Sequence, residues 1–483
     1  MKSVRSLAEK YNALSASVKA SLWFVVCTFL QKGMSVITVT LFTRILTKAE
    51  YGNLSVYNSW YTILSIIVAL GMANGMHLQG IVKFSEKRDA FTSAVLGLTT
   101  VLVLAWTGLY YVFASFWNGL LELNTLQMIA LLINIWTGAV FALWANVERV
   151  EYRYKLLLAV TLISSLLKPV VEIIMVLSFE DKVTAKVWGT VIVEFLVYFW
   201  LFIAKLKKGG CFFAADIWKY SLAFCIPLIP HYLSQTLLNQ ADRIQIKNLI
   251  GEEEAGVYGL AYSVSLILSI LVSALNQSAT PWIYGKIKEK KEKDLGRIVY
   301  SLMLLVAAVS ILIIVLAPEI VYIFAPADYQ EGIWCIPPVT IGIFFTFCYS
   351  VYGKFAFYYE KKGYLVIATF SSAVLNLLLN HLFIPRFGYV AAGYTTMICY
   401  ILYALFHYIY MMIICRDCCE GRYPFDSRII FMIQAGVVAA GLLLTFSYQH
   451  AVIRYGIVAA VILIMLIRRR DIIGMISQLK TKS

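Results

Sequence analysis

The sequence predicts an all-α integral membrane protein with about fourteen transmembrane helices. Of its 483 residues, 61% are hydrophobic, and apolar stretches of the ~20 residues needed to cross a bilayer recur along the whole chain. The polar breaks between them are much shorter than the ~50 residues of even a small soluble domain. The predicted spans are residues 20–43, 54–78, 91–115, 125–147, 156–178, 186–204, 219–249, 257–282, 298–324, 333–357, 364–384, 391–414, 428–447 and 451–467. The sixth and fourteenth are the weakest of the set.

The first apolar segment carries Gln31 and Lys32 near its middle. It lacks a small-residue cleavage site and is too long for a signal peptide, so we expect it to be retained as the first helix. A lysine at this depth costs at least ~2.5–3.5 kcal/mol and therefore needs a partner or a wet cavity.

The basic residues are distributed very unevenly between the two sides of the membrane. If both termini are cytoplasmic, 31 of the 41 Lys and Arg residues lie in inner segments, whereas the outer turns hold few. The positive-inside rule therefore predicts cytoplasmic termini. The net charge of +14 is explained by this topology and by anionic lipid, and we expect no nucleic-acid partner.

Motifs for cofactors and catalysis are missing from the sequence. Gly285-Lys286 lacks the flanking residues of a phosphate-binding loop, and neither a zinc helix motif nor a nucleophile elbow is present. The group formed by Cys415, Cys418 and Cys419 could bind a metal or carry palmitate, but without a second ligand pair it favours unpaired thiols on the reducing side. We expect a protein without a cofactor that is not an enzyme.

Two segments six spans apart are similar to each other. KAEYGNLSVY follows the first span, and EEAGVYGLAY occupies Glu253–Tyr262 after the seventh. Six intervening spans would give both halves the same orientation, which is the arrangement of a parallel transporter repeat.

These segments also carry a family resemblance. RILTKAEYGNLSVY and NQADRIQIKNLIGEEEAGVYGLAYSV resemble the two half-starts of bacterial polysaccharide flippases, the Wzx-like members of the multidrug/oligosaccharidyl-lipid/polysaccharide exporter superfamily. The resemblance implies two pseudo-symmetric six-helix lobes in a V around a central cavity, with two further C-terminal helices. The implied domains are residues 1–204, 205–218 (cytoplasmic linker), 219–415, 428–467 and 468–483 (cytoplasmic tail).

The resemblance also implies a function. Such a protein lies in the bacterial inner (plasma) membrane and moves undecaprenyl-pyrophosphate-linked oligosaccharide repeat units from the cytoplasmic to the outer leaflet by alternating access. Its partners would be this lipid-linked oligosaccharide, membrane lipids and other polysaccharide-assembly proteins, and an H+ or Na+ gradient could drive it.

Polar residues within the spans are the candidate substrate-binding residues. Cations and hydrogen-bonding groups replace the water around a pyrophosphate, which points to Lys32, Gln31, Lys168, Asp242 and Arg243. Each also has a structural interpretation. Lys32 could snorkel or pair with an acid, and the adjacent Asp242 and Arg243, which point to different sides, could lock helices together.

Three titratable residues are candidates for ion coupling: Glu194, Glu172 and His231. Glu194 could instead neutralise a lysine, and Lys168 and Glu172 share a helix face at i,i+4 and can pair. Pro169 between them should kink the helix. His231 could titrate near neutral pH or serve only as a hydrogen-bond donor.

Two other functions remain open. A multidrug or cation antiporter of the same superfamily would favour anionic cavity residues and twelve spans. A membrane glycan polymerase or glycosyltransferase would need a large outer loop, and the outer turns here are short.

Overall fold

The computed structural model describes residues 16–361, 363–470 and 474, and within these ranges the secondary structure is helical. Part of the first helix and Leu365 are described by their backbone only. The α-helices are α1 (Ala16–Ile45), α2 (Lys48–Val68), α3 (Gly75–Lys83), α4 (Arg88–Val112), α5 (Ala114–Leu121), α6 (Thr125–Val150), α7 (Tyr154–Ser178), α8 (Lys182–Gly209), α9 (Ala215–Cys225), α10 (Ile229–Leu249), α11 (Glu252–Ser265), α12 (Ile267–Lys288), α13 (Leu295–Val315), α14 (Ala317–Phe324), α15 (Ile336–Tyr358), α16 (Gly363–Phe387), α17 (Val390–Cys418), α18 (Ser427–Leu443) and α19 (Ala451–Ile467). Short 3₁₀ segments occupy Ser85–Lys87, Ile226–Leu228, Glu292–Asp294, Ala327–Cys335 and Leu444–Gln449.

The helices have the length and composition of a multi-pass membrane protein. In the described ranges, eleven helical segments are long and apolar enough to cross a membrane, and Gly33–Ile45 and Ala451–Ile467 are shorter apolar helices. The predicted sixth span falls within one of the eleven, Lys182–Gly209. The total of fourteen stays a prediction.

Several predicted spans are interrupted in the structure, and the second and the ninth illustrate the difference. The second was expected to run to residue 78, but α2 ends at Val68 because the backbone turns at Leu70 (φ 51°) and Gly71 (φ 58°). A leucine with positive φ is strained and interrupts a helix. The ninth was expected as one helix, but α13 ends at Val315 and a separate α14 follows, with a proline in its first turn.

The chain forms two compact units. Its first unit comprises the described residues of the ranges 16–38 and 57–233. Its core lies where α8 packs against α7, α6 and α4, around large buried side chains such as Phe91, Trp144 and Leu201. Side-chain caps fix where two of these helices begin, because Asn124 forms a capping box at α6 and Asp181 caps α8.

The second unit comprises the described residues of the ranges 39–56 and 234–474. Its central helix is α15, which is buried along most of its length and packs against α17, α12 and α13. The C-terminal helices α18 and α19 pack against α13. Arg454, near the start of α19, is buried and paired with Glu319 of α14 at 2.7 Å.

The two similar segments of the sequence lie against each other in this second unit. A Cβ atom on Gly52 of α2 would lie 1.9 Å from the carbonyl oxygen of Glu252, and one on Gly256 of α11 would lie 2.3 Å from that of Lys48. Each of these carbonyls belongs to the residue four positions before the other segment's glycine, so the contact is reciprocal, as at an interface with two-fold symmetry. Glycine is required at both positions because only it allows the helices to approach this closely.

Candidate functional site

The first unit contains a charged cluster between α7 and α8. Lys168 of α7 pairs with Glu194 of α8, and the other oxygen of Glu194 accepts a hydrogen bond from Thr137 of α6 at 2.9 Å. Glu194 is buried, whereas the Lys168 side chain is 27% exposed and lies 5.9 Å from the centre of the Tyr198 ring. Glu194 therefore neutralises Lys168 in the structure.

Glu172, one turn beyond Lys168, has a different partner. The sequence suggested an i,i+4 pair between them, but Glu172 accepts from Thr190 Oγ1 and lies 3.5 Å from Lys186 Nζ, both on α8. Its second oxygen, Oε2, is buried and has no hydrogen-bond partner in the part of the chain that the structure describes. Pro169 lies inside α7, which continues to Ser178.

In the second unit, Asp242 of α10 is fully buried in a shell of neutral groups. Its oxygens accept hydrogen bonds from Tyr258 (2.6 Å), Asn380 (2.7 Å) and Thr396 (2.8 Å). Asn376 extends the cluster by donating to Thr396 Oγ1 at 2.9 Å. Four elements, α10, α11, α16 and α17, contribute to this shell.

The Asp242 carboxylate is thus held by three neutral hydrogen-bond donors, the hydroxyl groups of Tyr258 and Thr396 and the amide NH2 of Asn380. The amide oxygen of Asn380 accepts from Thr395 and faces away from the carboxylate in its bonding. Across the described residues, no group of three or more His, Cys, Asp or Glu side chains is placed to hold a metal ion.

Arg243, adjacent to Asp242, points to a second polar cluster. Its guanidinium donates to Gln240 Oε1 at 2.8 Å and to the carbonyl of Asn239 at 3.2 Å, and it lies 4.0 Å from the centre of the Tyr262 ring. Tyr400 of α17 donates to Asn239 Oδ1 at 2.5 Å. Asp242 and Arg243 therefore have separate partners, in agreement with the expectation that they point to different sides.

The other predicted residues lie apart from these clusters. His231 is half-buried near the start of α10, and Gln31 is exposed on α1. The backbone of Lys32 belongs to α1, but its side chain lies outside the described residues. No comparison tests the roles assigned to these residues, and they stay predictions.

The comparison with protein families supplies the identity of the chain. Residues 17–286, more than half of its length, match the family described as "Polysaccharide biosynthesis protein". The chain belongs to this polysaccharide biosynthesis family. Residues 227–382 also match the MatE family, so the predicted resemblance to polysaccharide flippases of the exporter superfamily is confirmed.

Relatives of this family member include two Haemophilus influenzae proteins. One, from the Lsg locus, is 24% identical over 296 residues, which is 56% of this chain and 67% of the relative. The other, an uncharacterised membrane protein, is 27% identical over 162 residues, covering 33% of this chain and 39% of the relative.

Solved structures show the same fold. The lipid II flippase MurJ in an inward closed conformation has a TM-score of 0.68 at 16% identity, covering 93% of this chain and all of MurJ. An inward-facing multidrug resistance MATE family transporter has a TM-score of 0.63 at 14% identity, covering 81% and 96%. The all-α fold of membrane transporters and flippases is thus confirmed for this family member.

Sequence reasoning missed two buried lysines. Lys205 and Lys354 were counted among the inner-loop cations, but each is only 5% exposed. Lys205 pairs with Glu148 at 3.4 Å and lies 3.8 Å from Asp89. Lys354 lies inside α15, and the apolar residues that follow it in the sequence could have revealed this.

Proposed function

We propose that the protein is a flippase that moves undecaprenyl-pyrophosphate-linked oligosaccharide repeat units from the cytoplasmic to the outer leaflet of the bacterial inner membrane. The match of residues 17–286 to the polysaccharide biosynthesis family carries this proposal. The likeness in fold to the lipid II flippase also supports it. A lipid-linked glycan lies in the bilayer, where a multi-pass membrane protein can bind it.

The proposed organisation has fourteen transmembrane helices with both termini in the cytoplasm. Two six-helix lobes comprise residues 1–204 and 219–415, and a linker of residues 205–218 joins them. Residues 428–467 supply an additional helix pair, and residues 468–483 form a cytoplasmic tail. The packing of α18 and α19 onto α13 supports an appended pair. Transport proceeds by alternating access.

The substrate headgroup requires positive charge and hydrogen-bond donors. We assign Lys32, Gln31, Lys168 and Arg243 to contacts with the pyrophosphate and sugars. Arg243 supports this role because neutral groups and an aromatic ring hold its guanidinium, which leaves its charge available to an anion. Lys168 would have to exchange Glu194 for a phosphate oxygen, which links substrate binding to the charge state of that carboxylate.

Coupling to an H+ or Na+ gradient requires a buried group that gains and loses a cation. Asp242 suits this role better than substrate contact, because it is fully enclosed by small neutral donors. Glu194, Glu172 and His231 are further coupling candidates. The unpartnered Oε2 of Glu172 supports proton exchange at that carboxylate.

Genetic complementation tests the function. A strain lacking its own polysaccharide flippase should regain surface polysaccharide when it expresses this protein, and Lys32→Ala should abolish the rescue at normal protein level. If the wild-type protein rescues none of several flippase-deficient strains with different glycans, and the strains that express it become drug-resistant, the result would favour an antiporter. Incorporation of labelled sugar by the purified protein would favour a glycosyltransferase or polymerase.

A further inference from the structure

Lys354 is a buried cation without a carboxylate partner. Its side chain is held by two neutral oxygens: Nζ donates to Asn276 Oδ1 at 3.0 Å and to the carbonyl of Ser350 at 3.1 Å. Within the described ranges, no Asp or Glu forms an ion pair with it. Lys205, which is equally buried, has two carboxylates near it instead. Lys354 is therefore held by dipoles alone.

The ammonium group of Lys354 points away from the nearest end of its helix. Lys354 lies one turn from the end of α15 at Tyr358, and a lysine in such a position usually snorkels toward the interface. Here it bonds to Ser350, one turn back along α15, and to Asn276, which lies twelve residues, about 18 Å, from the end of α12. The geometry thus draws the charge inward, where an unpaired ion is costly and is by default functional.

The groups around the ammonium can donate to an anion. Asn276 uses only its carbonyl oxygen here, accepting from both Lys354 and Ser350 Oγ (2.7 Å). Among the described contacts, its amide Nδ2 donates no hydrogen bond. One face of α12 near Asn276 is exposed and carries Ser273, Gln277 and Ser278. An amide, a hydroxyl and an ammonium therefore converge beside a polar helix face.

We propose that Lys354, Asn276 and Ser350 form a binding site for phosphate oxygens of the lipid-linked substrate. The site rests on the proposed function and specifies which residues of the second unit would hold the pyrophosphate. Lysine binds phosphate as a compact point charge. An arriving phosphate oxygen replaces the Asn276 carbonyl at Nζ, and Asn276 then presents its Nδ2 to the same anion. Because only neutral groups hold Lys354 before the substrate arrives, its charge remains available for the phosphate.

Lipid binding to the purified protein tests this site. The probes are undecaprenyl pyrophosphate without sugar and uncharged undecaprenol, with binding measured by native mass spectrometry in the presence of excess phosphatidylglycerol. The wild type should prefer the pyrophosphate lipid, and phosphatidylglycerol should not displace it. Lys354→Met should weaken pyrophosphate-lipid binding by roughly tenfold or more, as expected for the loss of a charge-assisted contact. Lys354→Arg should retain most of it.

Two further variants keep the test decisive. Lys288→Met removes an exposed lysine at the end of α12 and should leave binding unchanged, which controls for net charge. Asn276→Asp gives Lys354 a carboxylate partner, so it should preserve or raise the melting temperature while reducing binding as strongly as Lys354→Met.

The outcomes separate the site from the function. If the Asn276→Asp protein, or a folded Lys354→Met protein, binds the pyrophosphate lipid as tightly as the wild type does, the proposed site is wrong. The flippase proposal would still stand. Displacement of the pyrophosphate lipid by phosphatidylglycerol would reassign the site to ordinary anionic lipid. Equal wild-type affinity for undecaprenol and its pyrophosphate would overturn both proposals.

Discussion

Replacing Gly52 with alanine should destabilise the second unit through a single added methyl group. The new Cβ atom would lie 1.9 Å from the carbonyl oxygen of Glu252, so α2 and α11 would have to separate by about 1.5 Å to restore an ordinary contact. Overpacking typically costs about 1–3 kcal/mol, and more when a backbone atom must move. The better helix propensity of alanine returns at most ~1 kcal/mol. The net effect should be a lower melting temperature.

Thermal unfolding in detergent, followed by tryptophan fluorescence, measures this effect. Gly256→Ala should behave similarly because it meets the reciprocal carbonyl of Lys48 at 2.3 Å. The double variant should lose less than the sum of the two, because the first methyl group already separates the helices. Gly108→Ala in α4 has open space around its Cβ and should melt at or above the wild-type temperature. A Gly52→Ala protein as stable as Gly108→Ala would refute the close contact between the two repeats.

Four further substitutions test the buried charges. Asp242→Asn preserves the size of the side chain but removes its charge, so the protein should fold and lose transport. Any increase in melting temperature that the wild type shows in Na+ relative to K+, or at low pH, should also be lost. Lys168→Met and Glu194→Gln should each leave the other residue's charge without its partner. This lowers the free energy of unfolding by ~3–5 kcal/mol for a fully buried pair, and the loss should be smaller here because Lys168 is partly exposed. The double variant should regain stability but not transport, as thermal unfolding and complementation would record. Arg422→Gln should destabilise the protein because it leaves the carboxylate of Glu292, which is fully buried, without its 2.8 Å partner.

Contrary results would be equally informative for these variants. Wild-type transport by Asp242→Asn would remove this residue from coupling, and transport by the double Lys168→Met/Glu194→Gln variant would make that pair structural. Arg422 has a matched control in Lys290, whose ion pair with Glu420 is exposed on both sides, so Lys290→Gln should change stability little. Hydrogen bonds to Glu292 and Glu420 raise the pKa of Arg422, so its contribution should not vary with pH in the physiological range.

Much of the fold could be predicted from the sequence because hydrophobicity is a local signal. The apolar stretches predicted most of the helices, including the C-terminal helices α18 and α19. The end of α2 was missed because Leu70 and Gly71 leave the helix without a break in hydrophobicity. The separation of α13 from α14 was missed for the same reason, since both helices are apolar around the break at Leu316.

The partners of the intramembrane charges could not be predicted in the same way. Spacing along one helix suggested that Lys168 and Glu172 pair, but α8 presents Glu194 to the first and Lys186 to the second. Such pairs depend on how two helices are rotated against each other, which no single segment encodes. Lys354 shows a related limit, because the positive-inside rule counts lysines near helix ends without indicating where the side chain points.

The most direct test of the account is transport by the purified protein in lipid vesicles. Undecaprenyl-pyrophosphate-linked oligosaccharide carrying a fluorescent sugar would be placed in both leaflets, and an external quencher or glycosidase would report the accessible fraction over time. Wild-type protein should raise this fraction from about half toward completion, and Asp242→Asn and Lys354→Met should do so much more slowly. If the accessible fraction in wild-type vesicles stays at the protein-free level under either an H+ or a Na+ gradient, the protein is not a flippase for this class of lipid.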